Sequence, residues 1–302
     1  MFSKIIELKL SEVDIDLKIA VFSDIHSNYH ALKACTDYVL EKGIRHFLFL
    51  GDYVSDCAYP QKTMKLLYEL RDNYDCRFIR GNREEYMLSH REEGEDGWKI
   101  PSSASGSLLY TYDNLTEEDL IFFDNLKISG SMAIEGYPEF LFCHGSMEDS
   151  RGDLWFGSEN ADKTLENMTT DLLLCGHTHR QGIYERNGKK IVNAGSVGMP
   201  FGYGGDAQFA ILNGNRDYWE IELIQLKYDK EKAVGELYEN YLNEMANIWV
   251  KLVEETLLTG VDRASECLYL ALKKCEEKEG TAGWAKLPEI YWEEAAKEMG
   301  YI

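Results

Sequence analysis

Six short segments of this 302-residue chain follow one plan: an apolar run, a small residue or glycine, then a side chain able to hold a metal. They are Phe22-Ser-Asp24-Ile-His26, Leu50-Gly-Asp52, Arg80-Gly-Asn82, Cys143-His144-Gly, Cys175-Gly-His177-Thr-His179 and Asn193-Ala-Gly-Ser-Val-Gly. Carboxylate, imidazole and amide oxygen suit divalent first-row metals and suit neither iron–sulfur clusters nor haem. Side chains at i and i+2 of an extended segment point the same way. An extended backbone would therefore aim Asp24 with His26, and His177 with His179, at a common point. Four of the seven histidines belong to this series; His30, His46 and His90 do not. Plainer roles exist for single members. Asp24 and Asp52 are residue types that cap helices, and Asn82 is a common turn residue. Gly195, Ser196 and Gly198 either shape a tight turn or bring backbone up to the centre. Cys143 and Cys175 adjoin ligands but read as buried strand ends, not thiolate ligands.

Positioning such groups requires strands that end where the ligands begin. Residues 17–23 read as a buried strand ending at Asp24, 45–50 as a second and 76–80 as a third. Between them, 27–42 has helical spacing, with Ser27 as N-cap and Gly43 as stop, and Gln61 to Arg71 forms a second amphipathic helix. Strand, helix, strand, helix, strand is the pattern of consecutive βαβ units and a parallel sheet. In open α/β sheets the ligand site lies at the carboxyl ends of strands, where these side chains fall. Residues 84–130 read as helix and loop, with Thr116 as N-cap and Asp119 completing a capping box. Within it, segment 84–114, with Trp98, Tyr110 and Tyr112, either lines a pocket and stacks a base or forms a cover held by its own contacts. From 131, short strands with turns at Gly136, Asn187-Gly188 and Asn213-Gly214 predict a second sheet running to Tyr228. Beyond it, 229–258 carries one helical apolar stripe, 262–278 another helix, and Pro288 to Gly300 a last one. The chain thus divides into 1–228 and a helical extension, 229–302. The stripe is expected to cover the chain's own helices, with a dimer contact or a lid as the other uses.

Lys and Arg number 32 against 53 Asp and Glu, a formal charge of −21. That balance disfavours nucleic acid, which calls for clustered cations, but leaves an anionic substrate open where bound cations reverse the field. No apolar run approaches the ~18–20 residues of a membrane span. The first residues are interrupted by charge and lack a secretory apolar core. Seven cysteines, an odd number lying mostly in apolar runs, fit reduced thiols. A cytoplasmic protein is the expectation.

The ordered series Asp24-x-His26, Gly51-Asp52, Gly81-Asn82, His144, Gly176-His177-x-His179 resembles the calcineurin-like metallophosphoesterase superfamily, above all its small bacterial and archaeal phosphodiesterase-type members. The run Asn193-Ala-Gly-Ser-Val-Gly-Met-Pro resembles the strand and loop after the His-x-His motif in that group. The likeness covers residues 17–225 and leaves the tail outside. Each motif alone is weak; five in order at domain-like spacing are specific. The resemblance implies an α/β fold, a four-layer αββα sandwich, here with a C-terminal helical extension. It implies two divalent ions (Mn, Fe, Zn, Co or Ni). One is held by Asp24, His26 and His179, the other by Asn82, His144 and His177, with Asp52 bridging. Two cations ~3.5–4 Å apart acidify a bridging water and clamp phosphoryl oxygens during in-line displacement.

One position departs from the pattern. Many members carry histidine after the Asn of the Gly-Asn motif, thought to assist the leaving group; here it is Arg83. A guanidinium is always charged and cannot act as a general acid, though it braces phosphate oxygens bidentately. Phosphoanhydrides in nucleotides and aryl phosphodiesters, whose leaving groups need little protonation, are then favoured over alkyl monoesters. Ion pairing with Glu84, Glu85 or Asp56 is the alternative role for Arg83, and Arg180 is a second candidate phosphate contact. The expected protein is a dinuclear-metal phosphoesterase cleaving phosphodiester or nucleotide phosphoanhydride bonds through a metal-bridging hydroxide. Asp52, Asn82, Arg83 and His144 are its expected catalytic residues, and its substrate a small phosphorylated molecule or nucleotide. A phosphoprotein phosphatase or phosphomonoesterase of the same superfamily is the first alternative, and a non-catalytic metal-binding scaffold the second. A homodimer through the C-terminal helices is the partner expectation.

Overall fold

A strand buried on both faces must be apolar at every position, and β1 (Lys18–Phe22) meets that requirement from Ile19 onward. In the computed structural model, which describes residues 17–92, 98, 102–103 and 105–302, β1 runs parallel to β2 (His46–Phe49), and β2 to β3 (Asp75–Phe78). Helices α1 (Tyr29–Glu41) and α2 (Pro60–Asn73) make the crossovers. The expected cap of α1 is corrected. Asn28, not Ser27, accepts the Ala31 N–H at 3.1 Å, because Ser27 sits in the left-handed region at φ 58° and its hydroxyl accepts the Ser55 N–H. The expectation for residues 1–16, and the parts of segment 84–114 at 93–97, 99–101 and 104, lie outside the described residues.

After β3 come α3 (Asn82–Arg91), α4 (Gly106–Asp113) and α5 (Glu117–Asp124). Thr116 and Asp119 form the capping box read from sequence. Trp98 is buried and stacks on His90, whose ring also meets Tyr112, while the Tyr110 hydroxyl donates to the Ala58 carbonyl. Trp98, His90 and Tyr112 thus pack on one another within the segment, and Tyr110 ties it to the loop before α2.

The second sheet contains β4 (Ser129–Met132), β5 (Phe140–Cys143), β6 (Leu172–Cys175), β7 (Gly182–Arg186) and β8 (Lys189–Asn193), in the order β4-β5-β6-β8-β7. Helix α6 (Glu159–Asn167) joins β5 to β6. Asn187 and Gly188, both at positive φ, make the two-residue hairpin expected of that pair. The next hairpin differs from expectation. β9 (Ala207–Gly214) and β10 (Trp219–Leu226) return to the first sheet, in the order β10-β9-β1-β2-β3, with β9 antiparallel to β1. Asn213-Gly214 is not the turn, because the Gly214 N–H donates to the Leu17 carbonyl and keeps both residues in the ladder. The chain reverses at 215–218 instead, where the Asn215 N–H donates to the Tyr218 carbonyl.

Alternate residues divide the core into layers. Ile19, Val21, Leu48 and Leu50 face Phe140, Leu172 and Leu174 across the gap between the sheets. Ala20, Phe22, Phe47 and Phe49 face α1 and α2 on one outer side, and Leu173 and Ile191 face Ala161 and Leu165 of α6 on the other. The architecture is the expected αββα sandwich. Truncating a buried ring such as Phe22 to alanine would cost about 3–5 kcal/mol.

The extension is helical as expected, but the single helix read over 229–258 is three: α7 (Lys230–Glu239), α8 (Leu242–Met245) and α9 (Asn247–Thr259). The break falls at Tyr241, at φ 60°. Leu237, Leu242, Val250, Val253 and Leu257 pack on Cys57, Ala58 and Met199. The other side of α9 receives α10 (Ala264–Glu279) and α11 (Glu289–Glu298) through Ile248, Leu252, Cys267 and Trp292. The stripe thus covers the chain's own domain. All seven cysteines are free, and among the described residues no helix is long and apolar enough to cross a membrane.

Candidate metal centre

Every residue of the motif series follows the carboxyl end of a strand. Asp24, Asp52 and Asn82 follow β1, β2 and β3 in one sheet; His144 and His177 follow β5 and β6 in the other. The two sheets deliver them to one place. They do not do so by the extended i, i+2 geometry expected from the sequence. Asp24, His26, Asp52, His177 and His179 all lie in the left-handed region, at φ 50–65°, each at a cost of roughly 1–3 kcal/mol. Neighbouring backbone holds them there. Ile25 and His26 N–H groups donate to the Asp52 carbonyl, and Val197 and Gly198 N–H groups to the Ser23 and Asp24 carbonyls. The Asn193 amide donates to the Gly176 carbonyl and Thr178 hydroxyl. The 193–199 run therefore clamps both ligand loops from behind.

Three imidazoles converge, each with its Nδ1 set against an acceptor. His179 Nδ1 lies 2.7 Å from the Met199 carbonyl, His144 Nδ1 lies 2.8 Å from the Leu50 carbonyl, and His26 Nδ1 lies 2.8 Å from the Asp56 carboxylate. Each acceptor suits a proton on Nδ1, so Nε2 is the nitrogen that would meet a metal ion in place of a proton. Those three Nε2 atoms face Asp24 and Asp52. His179 Nε2 is 3.3 Å from Asp24 Oδ1, and His26 Nε2 is 3.1 Å from His179 Nε2. His144 Nε2 is 3.4 Å from Asp52 Oδ1 and 3.1 Å from Asn82 Oδ1. Asp52 presents its other oxygen to His26 at 3.8 Å.

Two sets form among the described residues: Asp24 with His26 and His179, and Asp24 with Asp52 and His144, the donor atoms of each within 4.8 Å of one another. Asn82 adds an amide oxygen to the second. His177 stands beside it, its ring centroid 5.2 Å from that of His144. Its backbone N–H donates to both Asp24 oxygens and its Nε2 lies 3.4 Å from Asp153. Buried carboxylates, an amide oxygen and imidazole nitrogens gathered this closely form a donor set that fits divalent cations.

The electrostatics follow from the crowding. Burial would raise the Asp24 carboxyl, but the His179 and His144 imidazoles outweigh it and hold the group at about 2. Burial lowers His144, and the Asp52 and Asp24 carboxylates reverse this, lifting it to about 10. Burial lowers His177, and His144 adds to it. Cys143 and Cys175 end β5 and β6 as protonated thiols, pushed up by burial, Cys175 to about 12. They are strand ends, as read.

Arg83 pairs with acid, as the alternative reading held: its Nη2 is 3.3 Å from Asp56 and its Nε 3.9 Å from Asp52. Its backbone N–H donates to Asp52 Oδ1 at 2.8 Å, and its buried Nε has no hydrogen-bond partner among the described residues. Arg180 lies at the rim, its guanidinium 5.7 Å from the Trp155 ring and 6.0 Å from that of Phe201.

Sequence reasoning missed two supporting acids. Glu84 is buried and accepts N–H bonds from Asp52, Tyr53 and Gly81 at 2.7–2.9 Å. Burial and then the Asp52 charge raise it to about 7. A Glu three residues after Gly81 is half of a capping-box signature, so a signal existed. Asp56 had appeared only as a partner for Arg83, and no motif marks its bond to His26.

With fold and site in place, comparison with known proteins agrees. The model of the calcineurin-like phosphoesterase superfamily domain matches residues 17–217; the chain belongs to that superfamily. An uncharacterized protein of Methanocaldococcus jannaschii is 27% identical over 241 residues, covering 75% of this chain and 94% of that one. A hypothetical protein of Pyrococcus horikoshii shares the fold with a TM-score of 0.68 at 20% identity, over 81% of this chain and 99% of its own. A metallophosphoesterase of Sphaerobacter thermophilus does so with a TM-score of 0.60 at 21% identity, over 82% and 100%.

Proposed function

We propose that the protein is a dinuclear-metal phosphoesterase acting on phosphodiester or nucleotide phosphoanhydride bonds. The observation that carries this reading is the placement of Asp52 between two donor groups, one oxygen toward His144 and the other toward His26. Divalent cations there would polarise phosphoryl oxygens and acidify a water near neutral pH. Asp24, His26 and His179 would hold one ion, and Asn82 and His144 would hold a second, with His177 alongside and Asp52 facing both groups.

Arg83 shapes the substrate preference. Its side chain is 21% exposed, so the guanidinium sets a fixed positive charge at the edge of the centre, able to brace a phosphoryl oxygen through its exposed end while Asp56 anchors it. It cannot give a proton to a departing alkoxide. Substrates with good leaving groups, aryl diesters and phosphoanhydrides, follow from that chemistry. Arg180 with Trp155, the latter 42% exposed, offers a cationic and aromatic rim for the rest of such a molecule.

The test is an activity panel supplemented with Mn, Fe, Zn, Co or Ni, comparing bis-p-nitrophenyl phosphate, a dinucleoside polyphosphate and glycerol phosphate, with His144→Ala in parallel. Turnover of the first two that disappears in His144→Ala is the expected result. Fastest turnover of glycerol phosphate would favour a monoesterase instead, and no metal-dependent turnover of any member would remove the enzymatic reading.

A further inference from the structure

Asp56 is a fully buried carboxylate with four donors around it. Its Oδ2 lies 2.8 Å from His26 Nδ1, 2.8 Å from Ser55 Oγ and 3.3 Å from Arg83 Nη2. Its Oδ1 accepts the indole N–H of Trp249 at 2.8 Å. Trp249 belongs to α9, 193 residues further along the chain and beyond the part matched by the superfamily model. We propose that the helical extension is a working part of the metal centre, with Trp249 a positioning residue. It orients Asp56, which in turn fixes the His26 ring and the Arg83 guanidinium. The inference rests on the reading of His26 as a metal ligand.

A buried carboxylate keeps its orientation only while its lone pairs are engaged. Three of the Asp56 partners share Oδ2; among the described residues the indole is the one side-chain donor on Oδ1. Without it the carboxylate can turn, and the contact holding a proton on His26 Nδ1 loosens. The His26 Nε2 lone pair then loses its fixed aim. Carboxylate partners of this kind set the orientation and basicity of a ligating imidazole. The backbone points the same way, since Ser55 and Asp56 are both held at positive φ, a conformation that persists only where the surroundings enforce it.

The indole is itself held by the extension. Its ring meets Trp292 of α11 edge-on at 6.0 Å. One residue earlier, the Ile248 N–H donates to the Ser103 hydroxyl, which donates to Glu289 at the start of α11. A continuous path therefore runs from the last helices to a ligand of the centre.

The decisive experiment uses the full chain. Mn(II) affinity is measured by titration calorimetry for wild type, Trp249→Phe, Asp56→Asn, Trp292→Phe and His26→Ala, with melting temperatures of the metal-free proteins alongside. Trp249→Phe keeps an aromatic ring and removes the N–H. It is expected to weaken Mn(II) about tenfold, and Asp56→Asn roughly 10–100-fold, the range for lost outer partners of a metal ligand. Trp292 Nε1 has no hydrogen-bond partner among the described residues, so Trp292→Phe disturbs packing alone and should leave affinity unchanged. Wild-type affinity in Trp249→Phe, or an equal loss in Trp292→Phe, overturns the proposal. Unchanged affinity in His26→Ala would instead overturn the metal-ligand reading beneath it.

Discussion

The Nε2 atoms of His26 and His179 lie 3.1 Å apart although 153 residues separate them in the chain. Both rings have Nδ1 committed elsewhere, to Asp56 and to the Met199 carbonyl, so the two facing nitrogens meet each other and the Asp24 carboxylate. Such a pair is repulsive unless a proton or a cation stands between. His179→Ala should therefore lose about one equivalent of bound Mn by elemental analysis. Turnover should fall by more than the roughly 10–100-fold typical of outer-shell changes. Retention of two equivalents would contradict the assignment.

Gly81 sits where the loops carrying Asp52, Asn82 and His144 leave no room for a side chain. A Cβ there would collide with the Asp52 carboxylate and come within 2.8 Å of His144 Cε1. Gly81→Ala is expected to keep the native circular dichroism spectrum yet lose metal binding and activity. An alanine variant with wild-type turnover would show that the loops yield more easily than their contacts imply.

Arg83 meets two acids and still exposes part of its guanidinium. Arg83→Ala should lower kcat/KM for bis-p-nitrophenyl phosphate about 10–100-fold, the size of one lost charged hydrogen bond. Arg83→Lys should recover little of it, because a single ammonium cannot replace the planar fork. Parallel kinetics on the three proteins checks this, and full activity in Arg83→Ala would confine the residue to its ion pair with Asp56.

Away from the centre, Asp75 ties β3 to β2 through His46 at 3.1 Å and to Arg77 at 2.8 Å. The His46 hydrogen bond is the largest influence; burial opposes it and Arg77 assists, leaving the carboxyl below its ordinary value. A depressed folded-state pKa stabilises above the unfolded value and loses that contribution as pH falls through the folded one. Asp75→Asn should thus melt lower than wild type at pH 7, with the two melting curves converging in acid below the ordinary carboxylate range. A gap that widens in acid would reverse the sign.

Much of the site was legible because each ligand directly follows an apolar run, and strand ends are visible in one dimension. The hairpin at Asn187-Gly188 and the Thr116 capping box were legible for the same reason, being set by neighbours in sequence. Asn213-Gly214 misled because a turn signal yields to any ladder that claims its N–H groups, here through Leu17. Ser27 misled because its hydroxyl was taken by Ser55 across the sheet. Asp56 was not marked as a partner of His26, since the bond to His26 and the bond to Trp249 both arise from packing.

By itself, then, the amino-acid order determined which side chains are candidates for the centre, that they follow strands, and that the last 74 residues are helical; all of these are short-range patterns of polarity and spacing. Only the tertiary structure decided that β9 and β10 return to the first sheet. Only there do Asp24, His26, Asp52, His177 and His179 turn inward through left-handed backbone, and only there does a tryptophan of the extension reach the carboxylate behind His26. Those outcomes depend on contacts between distant segments, whose energies no local stretch of sequence contains.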